Sequence, residues 1–166
     1  ARYKIALSDT YASALAATGK LPDAVEFLKV MMRQPDTRAR ATQSLVGLYV
    51  RVGKVSDAQA LARSSAAEQR STMQPADAGA VVELLHLAGL YDEGVQLIDG
   101  LLTRDLAPQV RGQLMRQKVS LRESANDLAG AEAACRDIQR RSDVSADTRR
   151  EADRRLQAIQ QKGKPR

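Results

Sequence analysis

Four turns recur along the chain at nearly one spacing. They read Gly19-Lys20-Leu21-Pro22-Asp23-Ala24, Gly53-Lys54-Val55-Ser56-Asp57-Ala58, Gly89-Leu90-Tyr91-Asp92-Glu93-Gly94 and Asn126-Asp127-Leu128-Ala129-Gly130-Ala131. Successive steps between Gly19, Gly53, Gly89 and Asn126 are 34, 36 and 37 residues. Each turn stands between two stretches with helical apolar periodicity. A period near 34 built this way is the pattern of stacked helix–turn–helix repeats, in which each pair leaves apolar surface that only its neighbours cover. The expected fold is all-α, and its expected output is a binding surface.

The periodicity predicts nine helices. The first runs from about Arg2 to Thr18, with Leu7, Tyr11, Ala12 and Leu15 in one stripe. Gly19 ends it, because glycine tolerates the left-handed conformation that follows a helix. Pro22 and Asp23 open the second, which carries Ala24, Phe27, Leu28 and Met31. Asp36 or Thr37 is expected to cap the third, which holds Leu45, Val46, Leu48 and Tyr49. Ser56 and Gln59 match a capping box for the fourth. Pro75 suits the first turn of the fifth, and Pro108 that of the seventh. The fifth offers Val81, Val82, Leu84 and Leu85, the sixth Val95, Ile98, Leu101 and Leu102, the seventh Leu114, Met115, Val119 and Leu121. An eighth spans about Leu128 to Arg141. The last, 146–161, has a thin stripe of Ala152, Leu156 and Ile159 in a charged sequence, as a terminal capping element requires. Arg149/Asp153 and Glu151/Arg155 are spaced to support its exposed face. No linker interrupts the series, so residues 1–166 read as one domain, with pairs at about 2–34, 37–70, 74–105 and 108–141. The tail beyond Lys162 is expected to fray.

Composition removes several functional classes. No stretch approaches the ~20 consecutive apolar residues of a membrane span. The single cysteine, Cys135, rules out an internal disulfide and a cysteine metal cage. No secretory signal is present, the first residue is not Met, and helix begins at once, so the chain is expected to start inside a longer protein or after processing. The formal charge is +6; residues 136–166 hold ten Lys/Arg against five Asp/Glu, and the preceding 135 hold sixteen against fifteen.

These residues resemble tetratricopeptide repeats. That family places a small or apolar residue and then an aromatic or leucine in the first helix, Gly in the turn and Ala early in the second helix. The corresponding residues are Ala12, Leu15, Gly19 and Ala24; Val46, Tyr49, Gly53 and Ala58; Val82, Leu85, Gly89 and Gly94. Pro35, Pro75 and Pro108 approximate the proline between pairs. The likeness covers about residues 2–141, and its fourth repeat departs, with Asn126 for glycine and Arg122 for the leucine or tyrosine. Generic helical repeats and pentatricopeptide repeats, which usually read single-stranded RNA, are the competing readings.

The resemblance implies a right-handed superhelix, an α-solenoid with a C-terminal capping helix, whose concave face is lined by the first helix of each pair. Carried over, that face holds Asp9, Ser13 and Ala17; Arg40, Gln43, Gly47 and Arg51; Glu83, His86 and Leu87; Gln113, Arg116 and Glu123. The implied function is a non-catalytic scaffold that binds a protein or peptide, with Arg40, Gln43, Gly47, Arg51, Glu83, His86, Gln113 and Arg116 as the contact residues. In bacteria such repeats serve secretion, pilus or exopolysaccharide export assemblies, in the periplasm or cytoplasm. Arg40, Arg51 and Arg116 favour an acidic segment, because guanidinium binds carboxylate bidentately. The Lys and Asn clamp that some relatives use for a peptide C-terminus is missing, with Asp9 and Ser13 in its place. Self-association through end repeats is a further expectation.

Catalytic and cofactor signatures do not emerge. His86 is the only histidine, too few for a metal site without cysteine partners. Cys135 falls where Leu28 does in the first repeat and is expected to be a small core residue. There is no phosphate loop, nucleophile elbow or paired-carboxylate motif. No cofactor is expected, and the chain is not expected to be an enzyme. An alternative function is RNA or anion binding through Arg136, Arg140, Arg141, Arg149, Arg150, Arg154 and Arg155. Interleaved Asp137, Asp147, Glu151 and Asp153, and the lack of any aromatic residue beyond Tyr91, make nucleic acid the weaker expectation.

Overall fold

The computed structural model describes residues 2–70, 73–75 and 77–162, with side chains from residue 10 onward. Nine helices lie among the described residues: α1 (Arg2–Ala17), α2 (Leu21–Met32), α3 (Pro35–Arg51), α4 (Val55–Arg70), α5 (Ala78–Leu87), α6 (Tyr91–Leu102), α7 (Pro108–Ser124), α8 (Leu128–Arg140) and α9 (Ala146–Lys162). No strand occurs among those residues. The chain divides into two compact units, Ala1–Ser71 and Thr72–Arg166.

All four turns share one backbone solution. The turn residue has positive φ: +79° at Gly19, +75° at Gly53, +74° at Gly89 and +57° at Asn126. Its N–H donates to the carbonyl three residues back, at 3.2, 3.1, 3.0 and 3.0 Å in the four turns. The next N–H reaches five residues back, from Lys20 to Leu15, Lys54 to Tyr49, Leu90 to Leu85 and Asp127 to Arg122, at 2.8–2.9 Å. This is the Schellman pair that satisfies the last carbonyls of a helix. Arg122 therefore occupies the same backbone place as Leu15, Tyr49 and Leu85, and the fourth pair keeps the register of the others. Five residues after each turn residue comes Ala24, Ala58, Gly94 or Ala131, all buried. Seven residues before it comes Ala12, Val46, Val82 or Val119, also buried. Small side chains at both places let the paired helices approach closely.

In the first unit each helix packs on the next, and α1 also touches α3. Its core gathers Ala12, Ala24, Leu28, Leu45 and Leu48, with Leu15, Phe27, Tyr49 and Leu61 packed against them. In the second unit the same rule holds from α5 to α9, with α5 on α7 and α7 on α9. Met115, Val119, Cys135, Ile138, Val144, Ala152 and Ile159 form one buried cluster there. Ala152 and Ile159 belong to α9, which packs against α8 and α7 with its thin apolar stripe buried.

Three helix starts differ from the sequence expectation. Helix α4 begins at Val55, because the Ala58 N–H already bonds the Lys54 carbonyl. Ser56 is thus inside the first turn rather than before it. Helix α3 begins at Pro35, with Asp36 and Thr37 likewise inside; the Thr37 hydroxyl instead donates to the Met31 carbonyl at 2.6 Å, tying α3 to the end of α2. Helix α5 begins at Ala78, so Pro75 sits in the turn that precedes it, and its carbonyl accepts from the Ala78 N–H. The tail beyond Lys162 and the side chains of Leu7 and Asp9 lie outside the described residues.

Candidate functional site

In the first unit α1 and α3 lie side by side and present Ser13 and Ala17 beside Arg40, Gln43, Gly47 and Arg51. Ser13, Ala17, Arg40, Gln43 and Arg51 are exposed and Gly47 is half-buried. Residues 13 and 17 on α1, and 43, 47 and 51 on α3, follow four-residue steps, which place each set along one side of its helix. The two rows meet where Arg51 Nη2 stands 3.5 Å from Ser13 Oγ, a long hydrogen bond. Among the described residues no ion pair engages Arg51.

In the second unit α5, α7 and α9 supply the corresponding rows. Glu83 and Gln113 are exposed, and His86 and Arg116 half-buried. His86 Nε2 lies 2.8 Å from Ser124 Oγ, linking α5 to the end of α7, and its Nδ1 is 4.0 Å from Glu83 Oε2. The imidazole also meets the Tyr91 ring edge-on at 5.7 Å. The two N–H groups after Ser124 are already bonded to the Leu121 and Glu123 carbonyls. The His86–Ser124 pair bridges α5 and the end of α7. Gln117 Nε2 donates to the Gly79 carbonyl at 3.1 Å, a second bridge between α5 and α7.

Beside the shared apolar cluster, polar and ionic contacts join α7 and α9. Arg116 Nη1 donates to Thr148 Oγ1 at 2.7 Å, and its Nε is 3.5 Å from Glu151 Oε2. Arg155 bonds Glu151 at 3.0 Å, Ser120 at 2.9 Å and Glu123 at 3.4 Å. The spacing of Glu151 and Arg155 signals their pairing, whereas their joint contact with α7 carries no local signal. Arg149 and Asp153 do not pair: Arg149 donates to the Arg141 carbonyl, and Asp153 accepts from Gln139.

Three arginines outside the expected face hold turns and loops. Arg111, buried at the start of α7, places Nη1 and Nη2 3.5 Å from the carbonyls of Leu102 and Arg104. Its Nε lies 3.1 Å from Asp143 Oδ2 without a directed hydrogen bond. Arg141, bonded to Asp143 in bidentate fashion at 2.9 and 3.1 Å, holds that carboxyl below its usual range. Arg122 Nη1 lies 3.1 Å from both Asp92 and Asp127, an ionic contact where the other turns have half-buried Leu15 and Tyr49 and buried Leu85.

Most C-terminal arginines are likewise engaged. Arg136 pairs with Glu132, Arg141 with Asp143, Arg150 with Asp147 and Arg155 with two glutamates. Cys135 is fully buried, and burial, reinforced by Glu123, pushes its thiol up to about 11. Among the described residues no cluster of three His, Cys, Asp or Glu is arranged to hold a metal ion, and no helix is long and apolar enough to cross a membrane. Comparison with family models, with curated proteins and with solved structures gives no match.

Proposed function

We propose that this chain is a non-catalytic scaffold of tetratricopeptide-like repeats, stacked as an α-solenoid, that binds a protein or peptide along its first-helix faces. The observation that carries the reading is the fourfold recurrence of one turn with one pair of buried small residues around it. First helices lie against first helices within each unit, α1 on α3 and α5 on α7. Such rows align polar side chains from successive pairs on one extended surface, which is how repeat proteins recognise partners. The pairing of most C-terminal arginines with the chain's own acids favours this reading over RNA binding.

Photo-cross-linking tests it. A benzophenone amino acid at Gln43 or Gln113, on first helices, is expected to capture a partner, whereas one at Gln96, exposed on the second helix α6, captures little. Equal capture at all three positions would overturn the proposal.

A further inference from the structure

The arginines singled out by the sequence are not equivalent once their surroundings are known. Arg116 faces Glu151, and Arg155 beside it joins Glu151 to Glu123. That face is neutralised from within. Arg51 on α3 faces a hydroxyl instead, Ser13 Oγ at 3.5 Å.

The division into units also redistributes the charge. Ala1–Ser71 contains eleven Lys/Arg and six Asp/Glu; Thr72–Arg166 contains fifteen and fourteen. The first unit thus holds +5 of the net +6, and the second only +1, because the basic C-terminal segment shares its unit with an acidic one. The cross-helix pairs of Arg155 with Glu123 and of Arg116 with Glu151 join residues from those two segments.

Resting on the scaffold reading, we infer that its partner is an acidic peptide segment, read by the α1–α3 face of the first unit, with a carboxylate on Arg51 and Ser13. A carboxylate offers about four acceptor sites, enough to take the Arg51 guanidinium and the Ser13 hydroxyl together. Arg51 would exchange a long bond to a neutral oxygen for a charge-assisted one, roughly twice as strong. Ala17 and Gly47, one helical turn from Ser13 and Arg51, leave space for the peptide backbone. The face on α5, α7 and α9 offers no equivalent, since an incoming carboxylate there must displace Glu151 or Glu123.

The test is fluorescence anisotropy on the whole chain with a labelled glutamate-rich peptide, its glutamine counterpart and a single-stranded oligonucleotide. The glutamate peptide is expected to bind more tightly than either other probe. Arg51→Glu should weaken it by about tenfold or more, because like charges are then opposed. Arg51→Gln should show a smaller loss in the same direction. Lys29→Glu, an equal charge change on the exposed side of α2, should stay within about twofold, as expected for a charge away from the contact, and Arg116→Glu should lose less than Arg51→Glu. Circular dichroism checks that each variant folds. Equal losses in Arg51→Glu and Lys29→Glu, a larger loss in Arg116→Glu, no binding of the glutamate peptide, or tighter binding of the oligonucleotide each overturn the inference. Capture at Gln113 without glutamate-peptide binding would leave the scaffold reading standing and this one refuted.

Discussion

Thr148 Oγ1 accepts a 2.7 Å hydrogen bond from Arg116 Nη1 and lies 2.9 Å from Ser145 Oγ. Thr148 is almost fully buried, and Ser145 also accepts its N–H at the start of α9. The hydroxyl therefore joins the guanidinium of one helix to the cap of another. Thr148→Val keeps the shape and removes the oxygen. It is expected to lower stability by about 1–2 kcal/mol in urea unfolding, the cost of leaving buried partners unsatisfied. No change would show that the contact contributes nothing net.

Two glycines of α6 should respond in opposite directions to one substitution. A Cβ at Gly94 would stand 2.9 Å from Leu121 Cδ1, and Leu121 is itself buried, whereas a Cβ at Gly100 would meet nothing within 4 Å. Gly94→Ala is expected to destabilise by about 1–3 kcal/mol through overpacking. Gly100→Ala should stabilise by up to about 1 kcal/mol, because alanine is the better helix former. Thermal unfolding of the two variants beside the parent decides it, and matching signs would contradict the packing described.

The turns give a graded test of left-handed backbone. Gly89→Ala, at φ +74°, is expected to cost about 1–2 kcal/mol. Asn126→Gly, at φ +57°, relieves what strain the asparagine retains and should stabilise by a few tenths of a kcal/mol up to about 1 kcal/mol. Denaturant midpoints would reveal whether the fourth turn obeys the same rule as the third.

Cys135 ties stability to alkaline pH. Burial raises its thiol from the ordinary 9.0 to about 11, so the folded state favours the neutral form. Its contribution is complete below pH 9, falls as pH rises towards 11, and totals on the order of 2 kcal/mol. The stability difference between the parent and Cys135→Ala should shrink over that interval. Iodoacetamide should modify Cys135 in the native protein far more slowly than in the urea-unfolded one, since the thiolate is both rare and inaccessible.

Much of the local structure can be read from the sequence because its causes are local. Gly19, Gly53, Gly89 and Asn126 declare left-handed turns, and the boundaries of α7, α8 and α9 follow from Pro108, Asn126 and the charged stripe. Ser56 and Thr37 mislead because a capping residue type also fits the first turn, and the Schellman turn at Gly53 had already started α4 at Val55. The candidate face is legible only as a set of positions. Whether Arg116 meets solvent or Glu151 depends on α9, whose residues lie more than thirty positions away, and no periodicity reports that distance. Arg111 escapes notice for a related reason: an arginine in an amphipathic helix reads as surface, and burial comes from the loops that close over it.

The variation in repeat length has an address. From Ala12 to Gly19 and from Gly19 to Ala24 the intervals match those in the three later pairs, residue for residue, so every extra residue falls after the second helix has begun. The coupling between pairs is where the repeats of this chain differ in length, and the hairpin itself is where they do not. A duplicated or exchanged hairpin, cut within the couplings, would carry its own folding instructions with it, so the chain can be edited in whole pairs.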